Sequence, residues 1–502
     1  MAKSPKGIAV LPRISREAAR VLTADALRFV ADLHRAAGSE RQRHMALRVE
    51  RQALFDKGHL PDFRADTAAI RDGTWKAAAI PRDLLDLRGC IVTGPSRKDL
   101  LAALNSGAKL CLADFADFTS PTWDNLIGGQ INLMDRWTSA MEHVDPVTKK
   151  RVSLSQRLAS LMVRPRALHQ DEPRVKLDGK PVAAGIFDAG LYLFHNAKPA
   201  LAKASGPYFC LPQIESRLEA RMWNDILLHA QSLLGLAAGT IRVHVQIDSV
   251  CAAFEMEEIA YELREHLAGF SLAASRYGFS VIRSFGLRKN FVLAAAGPSV
   301  AVLSGLLIRT AHRRGLLALA SLTRGDAGAD AGNAVREGFD GLWTSHPDQV
   351  QTVTKIFNAD MPTANQLYVT RDEATLRNKD ILGLADGARS EAVFKHNLRA
   401  ALLGFESWLS GRGTVLVDGV HEDAASAEFR RAQVWQWLRH GVKLDSGGKL
   451  TDKVFEECLA EALKDVKLAD GRYKEAAVLL KSLVNAKHFD PDFTVPGLRK
   501  LA

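Results

Sequence analysis

Apolar positions recur at helical spacing through residues 17–58, first in EAARVLTADALRFVADLHRAAG and then in the heavily charged RQRHMALRVERQALFDKG. Thr23, with Asp25 behind it, reads as a helix start, and Gly38 reads as the stop of that first helix. From about residue 88 the texture changes to short apolar runs separated by helical stretches. GCIVTG, KLCLADFAD, ASLMVRP, IRVHVQID, FSLAASRYGF, LLALASL and GLWTSHP read as strands. Repeated strand–helix units predict a parallel sheet, and polar residues placed just after the strand ends favour a closed barrel over an open sheet. Residues 170–205, with LDGKPVAAG and GIFDAGLYLFHNA, break the rhythm and read as an insertion, and from about residue 389 helices dominate. The run FVLAAAGPSVAVLSGLLI is apolar but broken by Gly297, Pro298 and Ser304, so it reads as a buried strand, loop and helix. A membrane span needs about 20 mostly apolar residues without such breaks.

Composition adds little that is special. The chain has 502 residues, of which 47% are hydrophobic and 25% charged, an ordinary globular balance with room for one large domain and smaller ones. The net charge of +10 favours anionic partners, but the basic residues are dispersed among acids and no nucleic-acid-binding module accompanies them. A solvated surface is the plain reading of that charge and a small anionic molecule the next, with neither nucleic acid nor membrane expected as partner. Cys90, Cys111, Cys210, Cys251 and Cys458 are odd in number, far apart and set in apolar strings. Buried reduced thiols follow, and a reducing compartment, with the cytoplasm as default. The oligomeric state stays open.

In a parallel barrel, functional side chains gather where the strands end. Reading those ends yields Asp114, Asp117, Arg164, Arg166, Glu215, Asp248, Arg276 and His346. Carboxylates there suit a hard divalent cation such as magnesium, and arginines suit an oxoacid carboxylate or a developing enolate oxygen. Taken singly, each is more readily a structural ion pair; the ring of them carries the suggestion. TGPSRKDL could seat an anion, but a plain cap by Ser96 is the simpler reading.

Several long strings resemble malate synthase: SGAKLCLADFADFTSPTWDNLIGGQINL, LMVRPRALH, GPYFCLPQIESRLEARMWND, AAFEMEEIAYELREHLAG, GFDGLWTSHPD and EDAASAEFRRAQVWQWLRHG, in family order. The resemblance implies a (β/α)8 TIM barrel over residues 89–388 with a small α/β insertion near 133–205. An N-terminal helical clasp over 1–88 and a C-terminal helical plug over 389–502 would flank it. It implies a condensation of acetyl-CoA with glyoxylate, assisted by magnesium. Carried over by position, Asp423 matches the family's general base. Arg164 matches the arginine that polarises glyoxylate and stabilises the enolate.

The metal positions depart from that pattern. Asp248 stands where the family usually has glutamate, Arg276 where it has an aspartate ligand, and Phe115-Ala116-Asp117 replaces Phe-Glu-Asp. Asp248 and Asp117 are what remains of a ligand set. Arginine is not deprotonated at ordinary pH, so Arg276 would repel a divalent ion. The expectation is a guanidinium within reach of Asp248 or Asp117, binding an oxoacid together with Arg164; Glu215 joins Arg276 as a candidate substrate-binding residue. The acyl-CoA side is also altered: LLALASLTRGDAGADAG is shortened, and Ala331 stands where a lysine is usual. Acetyl-CoA or a related acyl-CoA remains the expected co-substrate. The alternatives are a regulatory pseudoenzyme that keeps the fold, or a metal-independent enzyme with another oxoacid or acyl donor.

Overall fold

The computed structural model describes residues 5–138, 141–295, 300–321, 326–371, 376–489 and 492–501. Eight parallel strands close into a barrel: β1 Gly89–Thr93, β2 Leu110–Asp114, β3 Ser160–Arg164, β4 Tyr208–Leu211, β5 Arg242–Ile247, β6 Leu267–Leu272, β7 Leu317–Ser321 and β8 Gly341–Thr344. Each pairs with its neighbours in chain order, and β8 returns to β1. The strands show the two-residue alternation that a pleated ribbon imposes. In β2, Leu110 and Leu112 join an inner cluster with Cys90, Met162, Leu317 and Trp343, while Cys111 and Ala113 pack outward against the helices. That alternation decides which side chain faces the barrel axis where each strand ends.

Two strand expectations need correction. FSLAASRYGF is not one strand: β6 stops at Leu272, and Ala274–Phe285 is a helix, so Arg276 projects from a first helical turn. FVLAAA is not a strand either. Its backbone is taken by side chains of the helix Ala424–Arg439: Gln436 accepts from Leu293 N at 3.0 Å and donates to Phe291 O at 2.9 Å, and Trp437 donates to Leu293 O at 2.7 Å. With those groups satisfied, the segment has no need of a neighbouring strand. The break expected at Gly297 and Pro298 lies outside the described residues.

Thr23 caps the N-terminal helix as expected, accepting from Ala26 N at 3.1 Å. Gly38 does not end it; the helix runs unbroken from Ala24 to Asp56. A single interior glycine costs only about 1 kcal/mol, and the strong helix formers after it sustain the next turns. This helix packs along Ala184–Leu201, where a Cβ on Gly190 would lie 2.9 Å from Val30 Cγ2. Of the segment read as inserted, the hairpin Asp171–Leu177 and Lys180–Ala183 is extra to the barrel and pairs with Ile8–Val10. Ala184–Leu201, which carries GIFDAGLYLF, is the barrel's own helix between β3 and β4.

Beyond residue 390 the helices Glu391–Leu409, Ala424–Arg439, Asp452–Lys464 and Tyr473–Val484 enclose a separate core around Phe405, Trp408 and Trp437. The helix Ala424–Arg439 also packs on Ala274–Phe285 of the barrel. Gly278 makes that approach possible, since a Cβ there would sit 2.6 Å from Phe429 Cε2. All five cysteines are buried and free. Among the described residues no helix is long and apolar enough to cross a membrane.

Candidate active site

The strand ends and the C-terminal helices enclose a cavity of about 240 Å³ lined by Asp117, Arg164, Gln246, Arg276, Glu422 and Asp423, among others. Asp423 arrives from the C-terminal side. A short hairpin, Val415–Val417 and Val420–Glu422, turns at Asp418 and Gly419, both with positive φ. That backbone is the tight turn an Asp-Gly pair favours. It delivers Asp423 to the N-cap of Ala424–Arg439, where its Oδ1 accepts from Ser426 N at 2.8 Å and Ser426 Oγ accepts from Asp423 N at 2.8 Å. The Ala424 N–H donates to the Asp117 carbonyl at 3.1 Å, so the cap is tied to the barrel.

On the barrel side, Asp114 faces the axis at the end of β2. Its carboxylate accepts from the N–H groups of Ala116 at 2.7 Å and Phe118 at 2.9 Å, which folds the following loop. It also accepts from Arg164, from Nε at 2.9 Å and from Nη2. Arg164 Nη1 donates to Gln246 Oε1, and Nη2 stands 3.5 Å from Asp117 Oδ2. Arg164 is thus fixed as a plane by Asp114 and Gln246, with Asp117 beyond it.

Arg276 donates through Nη2 to Asp117 Oδ1 and through Nη1 to Asp492 Oδ2 at 3.4 Å; its Nε is buried and has no partner among the described residues. Asp248 is buried, accepts at Oδ2 from Gln213 N at 2.8 Å, and keeps Oδ1 unpartnered. A buried donor and a buried acceptor left unmade are costly, and a bound polar ligand would relieve them.

The carboxylates differ in protonation. Burial pushes Asp423 up to about 7, reinforced by the Asp117 charge and opposed by the Ser426 N–H and the two guanidiniums. Burial likewise pushes Asp248 up to about 7, against the Gln213 N–H and Arg276. For Asp117 burial also acts upward, but Arg276 and Arg164 together outweigh it and hold the group below its ordinary value. One cavity therefore contains a firmly ionised carboxylate and another that titrates near neutrality.

Not every sequence candidate reaches this cavity. Arg166 is buried against Asp188 and Glu172, each at 2.8 Å, as a structural ion cluster. Glu215 lies to one side, held by Arg48, Arg51 and Arg283, and lines a different cavity. His346 caps the helix Pro347–Asp360, half exposed, with its ring stacked 5.9 Å from that of His421. Ser96 is a plain cap, accepting from Asp99 N at 3.2 Å. Of the altered acyl-CoA stretch, residues 322–325 lie outside the described residues, and Ala331 is buried in a helix. Gln246, Glu422 and Asp492 were not anticipated. Gln246 precedes Asp248 by one strand period and the Asp-Gly turn precedes Glu422, so both had a readable signal; Asp492 in KHFDPDF had none.

Sequence comparison is decisive at this point. The family models match in three parts: malate synthase, N-terminal domain over residues 6–69, malate synthase, TIM barrel domain over 160–384, and malate synthase, C-terminal over 388–501. The chain belongs to the malate synthase family. Malate synthase of Myxococcus xanthus is 39% identical over 95% of this chain and 94% of its own length. Malate synthase A of Escherichia coli K12 is 34% identical over 96% of both chains. The glyoxysomal malate synthase of Candida tropicalis is 37% identical over 91% of this chain and 88% of its own. The matched barrel model begins at β3, so the malate synthase barrel here includes two strands, β1 and β2, that precede the matched segment.

Proposed function

We propose that this malate synthase family member is an acyltransferase that condenses acetyl-CoA, or a related acyl-CoA, with glyoxylate or another small 2-oxoacid at the barrel mouth. The observation that carries this reading is that Arg164 and Asp423, from two separately packed bodies, line one cavity. Asp423 titrates near 7, the range in which a general base is most effective, and removes a proton from the acetyl methyl. The resulting carbon nucleophile attacks the oxoacid carbonyl, and hydrolysis of the thioester releases CoA. Arg164, held by Asp114 and Gln246, presents fixed positive charge to the enolate and alkoxide oxygens as they form. The unpartnered Nε of Arg276 supplies a donor for the oxoacid carboxylate.

The family's magnesium does not fit these residues. Magnesium takes near-octahedral oxygen ligands, commonly one or two carboxylates with waters and substrate oxygens. Here Asp117 is engaged by Arg276 and flanked by Arg164, and Ala116 offers no side-chain oxygen. Asp248 offers one free oxygen beside a guanidinium and is pushed up to about 7. We infer that Arg276 takes over the cationic role, so oxoacid binding is independent of magnesium. A guanidinium orients a carboxylate but does not polarise a carbonyl by direct coordination, so turnover is expected to be slow.

A second reading, a protein that binds oxoacid without turning it over, is favoured by one observation: both guanidiniums already have carboxylate partners. Thiol release from acetyl-CoA and glyoxylate, measured with EDTA and with added magnesium, separates the readings. Slow release indifferent to EDTA supports the enzyme, and calorimetric glyoxylate binding without release supports the second reading. Fast release that requires magnesium overturns the assignment of Arg276.

A further inference from the structure

A second cavity, of about 510 Å³, lies beside the barrel between the N-terminal helix, the end of Ala274–Phe285 and the C-terminal residues Trp435 and Phe489. It is within the size range of small-molecule sites, and the exposed side chains of Val49 and Leu287 stand at its rim. Four guanidiniums line it, those of Arg48, Arg51, Arg283 and Arg288, against the carboxylates of Glu215 and Asp56.

The arginines are not equally occupied. Arg48 is saturated by Glu219, Glu215 and the Gln213 carbonyl. Among the described residues, Arg51 and Arg283 each spend only Nη2, both on Glu215. Arg288 donates to the Phe55 and His59 carbonyls and lies over the Phe285 and Phe291 rings, with no carboxylate partner among the described residues. His169 adds a buried Nδ1 with no partner. The rest of the wall carries the rings of Phe55, Phe285, Trp435 and Phe489, the last two in edge contact at 4.8 Å, with Gln52, Ser284 and His488 among them.

Excess positive charge with unspent N–H donors, in one cavity with aromatic rings, defines a ligand by its chemistry. We propose that this cavity binds a small amphiphilic anion, a carboxylate or phosphate monoester carrying an apolar body, with its head on Arg51 and Arg283. The site is distinct from the barrel mouth and does not depend on the reaction there. Arg48 connects the two, since it bonds the Gln213 carbonyl while the Gln213 N–H holds Asp248. Gln213 itself has φ +52°, an uncommon value for a residue with a side chain.

Calorimetry on the full chain with octanoate and with octyl phosphate, against octanamide and inorganic phosphate, tests the site. Octanoate or octyl phosphate is expected to bind with one-to-one stoichiometry, and the better of the two identifies the head group. Octanamide and inorganic phosphate should bind far more weakly. Arg51→Gln and Arg283→Gln should each weaken the preferred anion roughly ten- to a hundredfold, the scale of a charge-assisted hydrogen bond. Leu287→Trp leaves the ion cluster whole and narrows the rim, and should weaken binding too. Saturating glyoxylate should not displace the probe. The proposal is overturned by no binding of either anion at millimolar concentration, by octanamide binding equally well, by displacement with glyoxylate, or by unchanged affinity in folded variants of both arginines.

Discussion

Arg276 and Asp117 form an ion pair at the barrel mouth in which both side chains are almost wholly withdrawn from water. Truncating Arg276 leaves Asp117 buried with only Arg164, 3.5 Å away, and leaves buried Asp492 without its guanidinium. Arg276→Met is therefore expected to destabilise the chain by about 3–5 kcal/mol, read from urea unfolding. The triple change Arg276→Asp, Asp248→Glu, Ala116→Glu should melt lower than the natural sequence without metal and recover with magnesium. The natural sequence should gain nothing from magnesium. Equal magnesium-induced shifts in both proteins would refute the cationic role given to Arg276.

Asp423→Asn separates chemistry from folding. Asparagine caps a helix about as well as aspartate, so the bond from Ser426 N should survive and the melting temperature should change little. Condensation activity should fall about 10²- to 10⁴-fold. In the natural sequence the rate should rise with pH through about 7, as Asp423 loses its proton. A rate flat between pH 5 and 9 would remove Asp423 from the role of base.

Stability should run the other way. Asp423, Asp248 and Glu428 are all pushed by burial to about 7. Between the ordinary carboxylate range and pH 7, the folded chain binds more protons than the unfolded one. These groups therefore stabilise at low pH and lose that contribution as pH rises through about 7. Asp117 and Glu215 are held below their ordinary values by arginines, so their contribution is present above the carboxylate range and is lost on strong acidification. Burial also holds the His169, His244 and His266 imidazoles down, to about 3, 3 and 4, so they oppose the carboxylates below about pH 6.5. Relative to the natural sequence, the urea midpoint of Asp248→Asn should therefore rise between pH 5 and 8, because the decline contributed by Asp248 is removed. A difference between the two proteins that stays constant from pH 5 to 8 would contradict the assignment of Asp248.

Much of the barrel was legible because strands buried on both faces leave short apolar runs, and seven of the eight were read that way. The eighth, β4 Tyr208–Leu211, is closely flanked by Gly206-Pro207 and Pro212, which read as turn punctuation and hide the strand. Arg276 was legible as a chemical anomaly but not as a helical residue. Small residues around it carry no clear period, and the helix forms because Phe279, Ile282 and Phe285 bury one face. Glu215 follows β4 as a functional residue would, yet three arginines from distant segments claim it, and local sequence does not reveal that. Asp492 reaches the site only through tertiary packing.

Gly278 offers a test of the seam between barrel and C-terminal helices that leaves every candidate side chain in place. Gly278→Leu must displace Phe429 and with it the helix that begins at Asp423. Overpacking of this kind costs about 1–3 kcal/mol. Activity should drop more than oxoacid affinity, because Arg164 and Arg276 stay on the barrel while Asp423 moves. Loss of affinity and rate in equal proportion would count against that division.

The hydrogen bonds from Gln436 and Trp437 to residues 291–293 have the same kind of reach. They join a rigid helix to an aperiodic loop by side chains alone, so the joint has a compliance that a continuous sheet would not have. Under the proposed function, the oxoacid site at Arg164 and the base Asp423 belong to opposite sides of that joint. Thermal play in a contact remote from the cavity would then enter as fluctuation in the length of the proton's path.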